Sequence, residues 1–239
     1  MANFGQSRRA FPTTRWSLVT QVFGGGESAS SEALGELGLR YRYPVYAYVR
    51  RCGHAPAIAR DITRSFLHHL QREVRKQSAP PDRGQFRRFL LERLHAWLAD
   101  DWRRIHEDLD EVSPEADGDL EASYARDRMH VDSPDQAFQR GFALEVLAHA
   151  FDRLRAEVRQ TGHLDMYETL APFLGRDPEP GQYDEFARAL RTRPLAIVVA
   201  LKRLRQRLRE LASEELADTV SSAEELATEQ QALFAILQG

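Results

Sequence analysis

Apolar residues recur every three or four positions through almost the whole of this 239-residue chain, and that spacing constrains the fold more than any other feature. It places apolar side chains on one face of an α-helix, whereas a half-buried strand would alternate apolar and polar residues. No convincing alternating run occurs, so we expect an all-α protein. Three stripes occupy the first half: Leu34, Leu37, Tyr41, Val45 and Tyr48; Ile58, Ile62, Phe66, Leu70 and Val74; Phe86, Phe89, Leu90, Leu94, Trp97 and Leu98.

The charged residues are segregated along the chain. Residues 1–104 contain 18 Lys and Arg against 9 Asp and Glu, whereas residues 105–135 contain 2 against 11. The acidic segment has few large apolar residues and no helical period, which is typical of a chain that buries too little surface to fold. We therefore predict four parts: a helical domain (1–104), an acidic flexible linker (105–133), a second helical domain (134–220) and a C-terminal helix (221–239).

Local signals place the helices of the second domain. Residues 133–136 (SPDQ) combine an N-cap Ser, a Pro suited to the first helical position and a capping-box Gln, so a long helix is expected to begin there and to end at Gly162. A short helix over 183–190, a turn over 191–193 and a longer helix from Pro194 to about Leu211 follow. This spacing is that of a helix-turn-helix, whose second helix enters the major groove.

The second helix of this motif is basic. Residues 188–209 contain eight basic residues and no acidic one. An Arg-rich solvent face is common on helices, so charge alone does not decide between DNA and solvent. Clustered cations together with helix-turn-helix spacing favour DNA. The predicted DNA contacts in this half are Arg193, Lys202, Arg203, Arg205, Arg207 and Arg209.

Other function classes find little support in the sequence. The single Cys, Cys52, and the scattered His residues do not provide a disulfide framework or a metal site, so we expect no metal and no cofactor. Adjacent carboxylates at 100–101 and 214–215 point about 100° apart on a helix and do not converge for catalysis. No phosphate-binding loop and no stretch of about 18 apolar residues occurs. We expect a cytoplasmic, non-enzymatic protein without membrane contact.

Two sequence segments resemble a known family. Residues 11–19 (FPTTRWSLV) and 41–51 (YRYPVYAYVRR) are similar to the opening of a branch of extracytoplasmic-function (group IV) RNA polymerase sigma factors. Residues 83–90 (RGQFRRFL) resemble the continuation of sigma region two, and residues 134–211 resemble region four. The chain is identified as a divergent member of that family, with the match extending in order over about 11–220.

The resemblance implies a function in transcription initiation. The first domain would bind the clamp helices of the largest subunit of RNA polymerase core and open the minus-10 element, and the second would read the minus-35 element of promoter DNA. The implied DNA contacts of the first domain are Arg87, Arg88, His95 and Trp97. The implied polymerase-binding residues are Asp61, Thr63 and Arg64. An anti-sigma factor or a Ser/Thr kinase is the regulator expected from the family.

Departures from the family pattern leave an alternative. Arg60 and Ala96 stand where the family commonly has Glu and a base-contacting Asn. The chain is therefore either a sigma factor that directs polymerase to promoters or a sigma-derived protein-interaction module that binds polymerase or another partner without promoter melting. Thr63 is either a phosphorylation site that restores negative charge or an ordinary helix-surface residue. The acidic segment is either a phosphate mimic lying near the basic helix or a solvated spacer.

Overall fold

The computed structural model describes residues 22, 27–74, 86–99, 118–127, 132–217, 224, 226–228 and 230–231. Over these residues the fold is all-α, as predicted, and no strand occurs among them. The helices are α1 (Glu27–Arg51), α2 (Pro56–Val74), α3 (Phe86–Ala99), α4 (Gly118–Asp127), α5 (Pro134–Gln160), α6 (Leu164–Leu170), α7 (Gln182–Ala189) and α8 (Pro194–Ala217), with a 3-10 turn at Ala171–Phe173. None of these helices combines the length and apolar character of a membrane span.

The ends of α5 follow the sequence signals. Ser133 accepts a hydrogen bond from the Gln136 backbone N–H at 3.2 Å, and the Gln136 side chain accepts one from the Ser133 N–H at 3.2 Å. This is the predicted capping box, and it satisfies two N–H groups that a helix start leaves unpaired. At the other end Gly162 has a φ of 73°, and the N–H of His163 bonds to the Val158 carbonyl at 2.9 Å. The predicted start and end of this helix are confirmed.

Helices α1 and α5 pack closely in an aromatic core. The Tyr41 ring stacks on Phe142 at a centroid distance of 5.8 Å and on Phe138 at 6.4 Å. Gly141 makes the approach possible, because a Cβ at this position would lie 3.0 Å from the Cα of Pro44. Since α1 comes from the predicted first domain and α5 from the second, one hydrophobic core includes residues from both.

Ion pairs join α8 to the same assembly. Arg153 on α5 bonds to Glu214 at 2.6 Å and to Glu215 at 3.1 Å, and Arg40 on α1 bonds to Glu215 at 3.3 Å. The Glu215 carboxylate is only 12% exposed, so its two guanidinium partners offset its loss of water. Helix α5 packs against both α1 and α8, and Glu215 links all three helices.

The acidic segment departs from the prediction of a flexible linker. Residues 118–127 form α4, which packs on α1, with Tyr124 only 7% exposed against the Tyr46 ring at a centroid distance of 6.4 Å. The segment is helical because it is anchored by long-range contacts that its composition does not reveal. The rest of the predicted linker lies largely outside the described residues, as does most of the predicted C-terminal helix (221–239).

Candidate nucleic-acid interface

Helices α7 and α8 form the predicted helix-turn-helix. The Thr192 N–H bonds to the Ala187 carbonyl at 2.8 Å, which closes α7, and α8 begins at Pro194. Arg191 occupies the turn with a φ of 50°, a left-handed conformation that Gly usually supplies at a helix end. Ala187 on α7 and Ile197 on α8 are both buried, and the two helices pack against each other.

Six cations of the basic segment are exposed. They surround the turn and continue along α8: Arg188, Arg191, Arg193, Lys202, Arg203 and Arg209. Clustered cations on one motif are what neutralisation of backbone phosphates requires. Of the six predicted DNA contacts in this half, four lie on this exposed surface, namely Arg193, Lys202, Arg203 and Arg209.

Arg205 is a structural residue in this fold. Its guanidinium donates to the Phe173 carbonyl at 2.8 Å and 3.2 Å and to the Asp177 carboxylate at 2.8 Å, and it also reaches the Arg176 carbonyl. These bonds hold the segment before α7 against α8. The expectation that Arg205 faces a phosphate is corrected, because its donors are directed into the protein.

Arg207 also pairs with carboxylates of this chain, although its side chain is 37% exposed. It donates to both oxygens of Glu157 at 2.8 Å and 2.7 Å, and further contacts reach Glu210 at 3.1 Å and Glu214 at 3.4 Å. Hydrogen bonds from Arg207 hold the pKa of Glu157 below its usual value, and the bond to Glu157 raises the pKa of Arg207. Its prediction as a DNA contact is corrected, because carboxylates of the same chain already occupy its donors.

The first turns of α8 present apolar side chains to solvent. Leu195 is 72% exposed, Val198 43% and Val199 40%. Base edges in the major groove are read mainly by hydrogen bonds, with apolar contacts limited to the thymine methyl group. The start of α8 therefore suits phosphate contacts from its flanking cations better than extensive base reading.

The four residues of the first domain that the resemblance implies as DNA contacts differ in exposure and in what they contact. Trp97 is 5% exposed and its ring lies 4.4 Å from His69, so its expected contact with a DNA strand is corrected. His95 is exposed but pairs with Asp135 at 3.3 Å. Arg87 lies 4.5 Å above the Phe142 ring. Arg88 is exposed on α3.

The expected polymerase-binding residues on α2 differ in access. Asp61 and Arg64 are partly exposed and form an ion pair at 3.9 Å. Thr63 is 2% exposed, and its hydroxyl donates to the Ala59 carbonyl at 2.7 Å. The expectation of a surface Thr63 that a kinase could reach is corrected. The bond to the preceding turn is present, yet the side chain faces the core.

Sequence reasoning missed a polar cluster between α1 and α4. Arg50 donates to both oxygens of Glu121 at 2.9 Å and 2.8 Å, and the hydroxyls of Tyr46 and Tyr43 donate to Glu121 and Asp127. The available signal was the interleaving of Tyr and Arg in residues 41–51. Their carboxylate partners are more than seventy positions away, with separations of 71 to 84 residues.

Helix α4 lies far from the basic helix. Tyr124 on α4 lines a small cavity together with Ala137 at the start of α5, whereas Arg207 on α8 pairs with Glu157. The two positions on α5 are about 30 Å apart at 1.5 Å per residue. The described part of the acidic segment therefore does not mimic phosphate on α8.

Comparisons with known proteins add no relative. No family model, no curated protein and no solved structure matches the chain. Over the residues that the structure describes, no group of three or more His, Cys, Asp or Glu side chains is placed to hold a metal ion.

Proposed function

We propose that this chain is a divergent sigma-factor-like protein that recruits RNA polymerase core to promoter DNA and lends it specificity without catalysing a reaction itself. The observation that carries the proposal is the α7–turn–α8 motif with exposed cations at Arg193, Lys202 and Arg203. The order of motifs along the sequence supports it, since the sigma-like segments 11–19 and 41–51 precede this helix-turn-helix.

In this proposal α8 binds DNA mainly by contacting the phosphate backbone. Lys202 and Arg203 would each neutralise a phosphate, while Arg205 keeps the preceding segment in place and so fixes the orientation of α8. Polymerase core would meet α2 at Asp61 and Arg64, which are partly exposed. The protein would act in the cytoplasm, with an anti-sigma factor or another regulator limiting its activity.

DNA binding by α8 is tested by the salt dependence of affinity. Fluorescence anisotropy with labelled genomic duplexes should give a logarithmic slope that falls by about 0.9 for each phosphate contact removed. Lys202→Ala with Arg203→Ala should lower the slope by about 1.8 in total. The matched control is Arg72→Ala with Arg159→Ala, which removes two exposed cations outside the motif. Equal slopes for the two double variants would contradict DNA binding by α8.

A second candidate function is a sigma-derived protein-interaction module. The exposed Leu195, Val198 and Val199 at the start of α8 favour it, because apolar side chains contribute more to a protein interface than to groove reading. Run-off transcription with core polymerase separates the two candidates. A sigma factor yields a transcript, whereas an interaction module yields a complex with its partner and no product.

A further inference from the structure

Near the end of α1, three side chains donate hydrogen bonds to carboxylates of α4. The Nε and one terminal nitrogen of Arg50 donate to the two oxygens of Glu121 at 2.9 Å and 2.8 Å. The Tyr46 hydroxyl donates to the same carboxylate, and the Tyr43 hydroxyl donates to Asp127. We refer to Tyr43, Tyr46 and Arg50 as the α1 anion site.

The α1 anion site is held in place by groups other than α4. The remaining terminal nitrogen of Arg50 donates to the His54 carbonyl, which anchors the guanidinium from its other side. The rings of Tyr43 and Tyr46 are buried in the core. Burial is the main cause that raises the pKa of both tyrosines, so their hydroxyls remain donors. The donors are therefore preorganised before any ligand arrives.

The chemistry of the site suits a phosphate as well as a carboxylate. A guanidinium group donates two parallel N–H bonds to either anion, and a tyrosine hydroxyl donates to either. The hydrogen bonds from Arg50 hold the pKa of Glu121 below its usual value, with a smaller electrostatic contribution from Arg60. The site thus stabilises a negative charge beyond the direct contacts.

Helix α4 is short, which limits what its docking contributes to stability. It has ten residues, and an isolated helix of that length is marginal in water. Tyr124 is its buried anchor, and Leu120 is half-buried beside it. Local opening of such an element requires less free energy than global unfolding. Release of α4 would leave the α1–α5 aromatic core intact, since Tyr41, Phe138 and Phe142 do not depend on it.

We propose that α4 is a displaceable acidic helix whose Glu121 occupies a phosphate-binding site, and that Tyr43, Tyr46 and Arg50 bind a nucleic-acid backbone phosphate when α4 leaves. A tethered helix is present at millimolar effective concentration, so a single weak anion competes poorly with it. A polyanion competes better, because other cations near the site, such as the partly exposed Arg60, can contact it as well. This site is separate from the α7–α8 motif and does not depend on the function proposed for it.

The test measures nucleic-acid affinity in a background without the main α8 contacts. All proteins carry Lys202→Ala and Arg203→Ala, and the ligand is a short fluorescein-labelled oligothymidylate at low salt. Glu121→Gln with Asp127→Asn weakens the docking of α4 and should tighten binding about tenfold. The control is Asp152→Asn, an exposed carboxylate on α5, which should leave the affinity unchanged.

Arg50 substitutions show whether the gain arises at this site. Adding Arg50→Ala, or Arg50→Gln where the Ala variant does not fold, should remove most of the gain, because neither residue carries the positive charge and the paired N–H donors of a guanidinium. An absent gain on Glu121→Gln with Asp127→Asn overturns the proposal. So does a gain that persists with Arg50→Ala or Arg50→Gln, since binding then occurs elsewhere.

Limited trypsin digestion reports on α4 directly in the chain without substitutions. Arg126 is an exposed cleavage site within α4, and helical, docked backbone resists proteolysis. Oligothymidylate should accelerate cleavage after Arg126, whereas inorganic phosphate at the same phosphate concentration should not. An unchanged or slower rate with oligothymidylate contradicts displacement. Equal acceleration by inorganic phosphate contradicts a nucleic-acid ligand.

Discussion

Gly141 on α5 lies against Pro44 on α1 so closely that a side chain at position 141 would meet the backbone, with 3.0 Å between an added Cβ and the Pro44 Cα. The contact sits between two helices that the sequence analysis assigned to separate domains. Pro44 has no backbone N–H to donate, and Gly141 has no side chain, so the two backbones come together there.

This contact predicts opposite effects for two glycine substitutions. Gly141→Ala should lower the free energy of unfolding by about 1 kcal/mol, because overpacking exceeds the gain in helix propensity. Gly35→Ala on α1 is the control, since nothing lies within 4 Å of its added Cβ, and it should raise the free energy by about 0.5–1 kcal/mol. Urea unfolding of both variants measures the difference. Stabilisation by Gly141→Ala would show that α1 and α5 do not pack this closely.

Arg191 offers a second stability prediction. Its φ of 50° is a left-handed conformation that costs a non-glycine residue about 1 kcal/mol. Arg191→Gly should therefore raise the free energy of unfolding by about 0.5–1 kcal/mol, because Gly suits the residue after a helix end. Thr192→Gly is the comparison and should destabilise. An unfolding midpoint for Arg191→Gly below that of the parent protein would refute the assigned turn.

Much of this architecture follows from the sequence, and the exceptions have physical reasons. The capping box at Ser133 and Gln136 is local, so it predicted the start of α5 correctly. Helix α4 was missed because its apolar anchors are few and its carboxylates pair with α1 residues that are distant in sequence. Arg207 was assigned to DNA because sequence spacing cannot show that folding brings Glu157 to it.

The burial of Thr63 could have been recognised. It follows Ala59 by four positions and precedes Phe66 by three, so it shares their helical face. The predicted core stripe of this helix ran through Ile58, Ile62 and Phe66, so Thr63 was expected on the surface. A hydroxyl that bonds to the preceding turn is compatible with the core, because its one donor is satisfied.

The burial of Thr63 predicts that a charge there disrupts folding. Thr63→Glu should lower the free energy of unfolding by more than about 3 kcal/mol, because it places an unpaired carboxylate in the core. Thr169→Glu is the matched control: its hydroxyl also bonds to the carbonyl four residues earlier, at 2.8 Å, but the residue is more exposed. If Thr63→Glu and Thr169→Glu lower the unfolding temperature equally, Thr63 is accessible, and phosphorylation at this residue is again a valid hypothesis.

Substitution of Arg203 is expected to affect DNA binding, whereas substitution of Arg205 is expected to affect stability. Arg203→Ala should reduce the logarithmic salt slope of DNA binding by about 0.9 and leave the unfolding temperature unchanged. Arg205→Ala should keep the slope and lower the free energy of unfolding by about 2 kcal/mol, because it removes the bonds to Phe173 and Asp177. Anisotropy and calorimetry on the same samples check both. A reduced slope for Arg205→Ala would show that its guanidinium leaves the protein to bind DNA.

The ion pair between Arg207 and Glu157 predicts a pH dependence. The hydrogen bond from Arg207 lowers the pKa of Glu157 in the folded state. The ion pair therefore contributes its full stability above pH 4.5, the ordinary pKa of a Glu side chain, and this contribution is lost as the pH falls through the lowered pKa of the folded state. Glu157→Gln should reduce the loss of stability in that acidic range. Glu168→Gln, which removes the partner of Arg155 in a more exposed ion pair, is the control and should change the pH dependence of stability less. Identical pH profiles for the parent protein and Glu157→Gln would contradict the pair.

Run-off transcription with RNA polymerase core tests the proposed function most directly. Core enzyme, this protein and fragments of the source genome are combined, and transcripts are mapped with and without the Lys202→Ala and Arg203→Ala substitutions. A sigma-factor-like protein should give transcripts with defined starts from a small set of fragments, and the double variant should give far fewer. Formation of a complex with core but no transcript from any fragment would contradict that function and favour the interaction module.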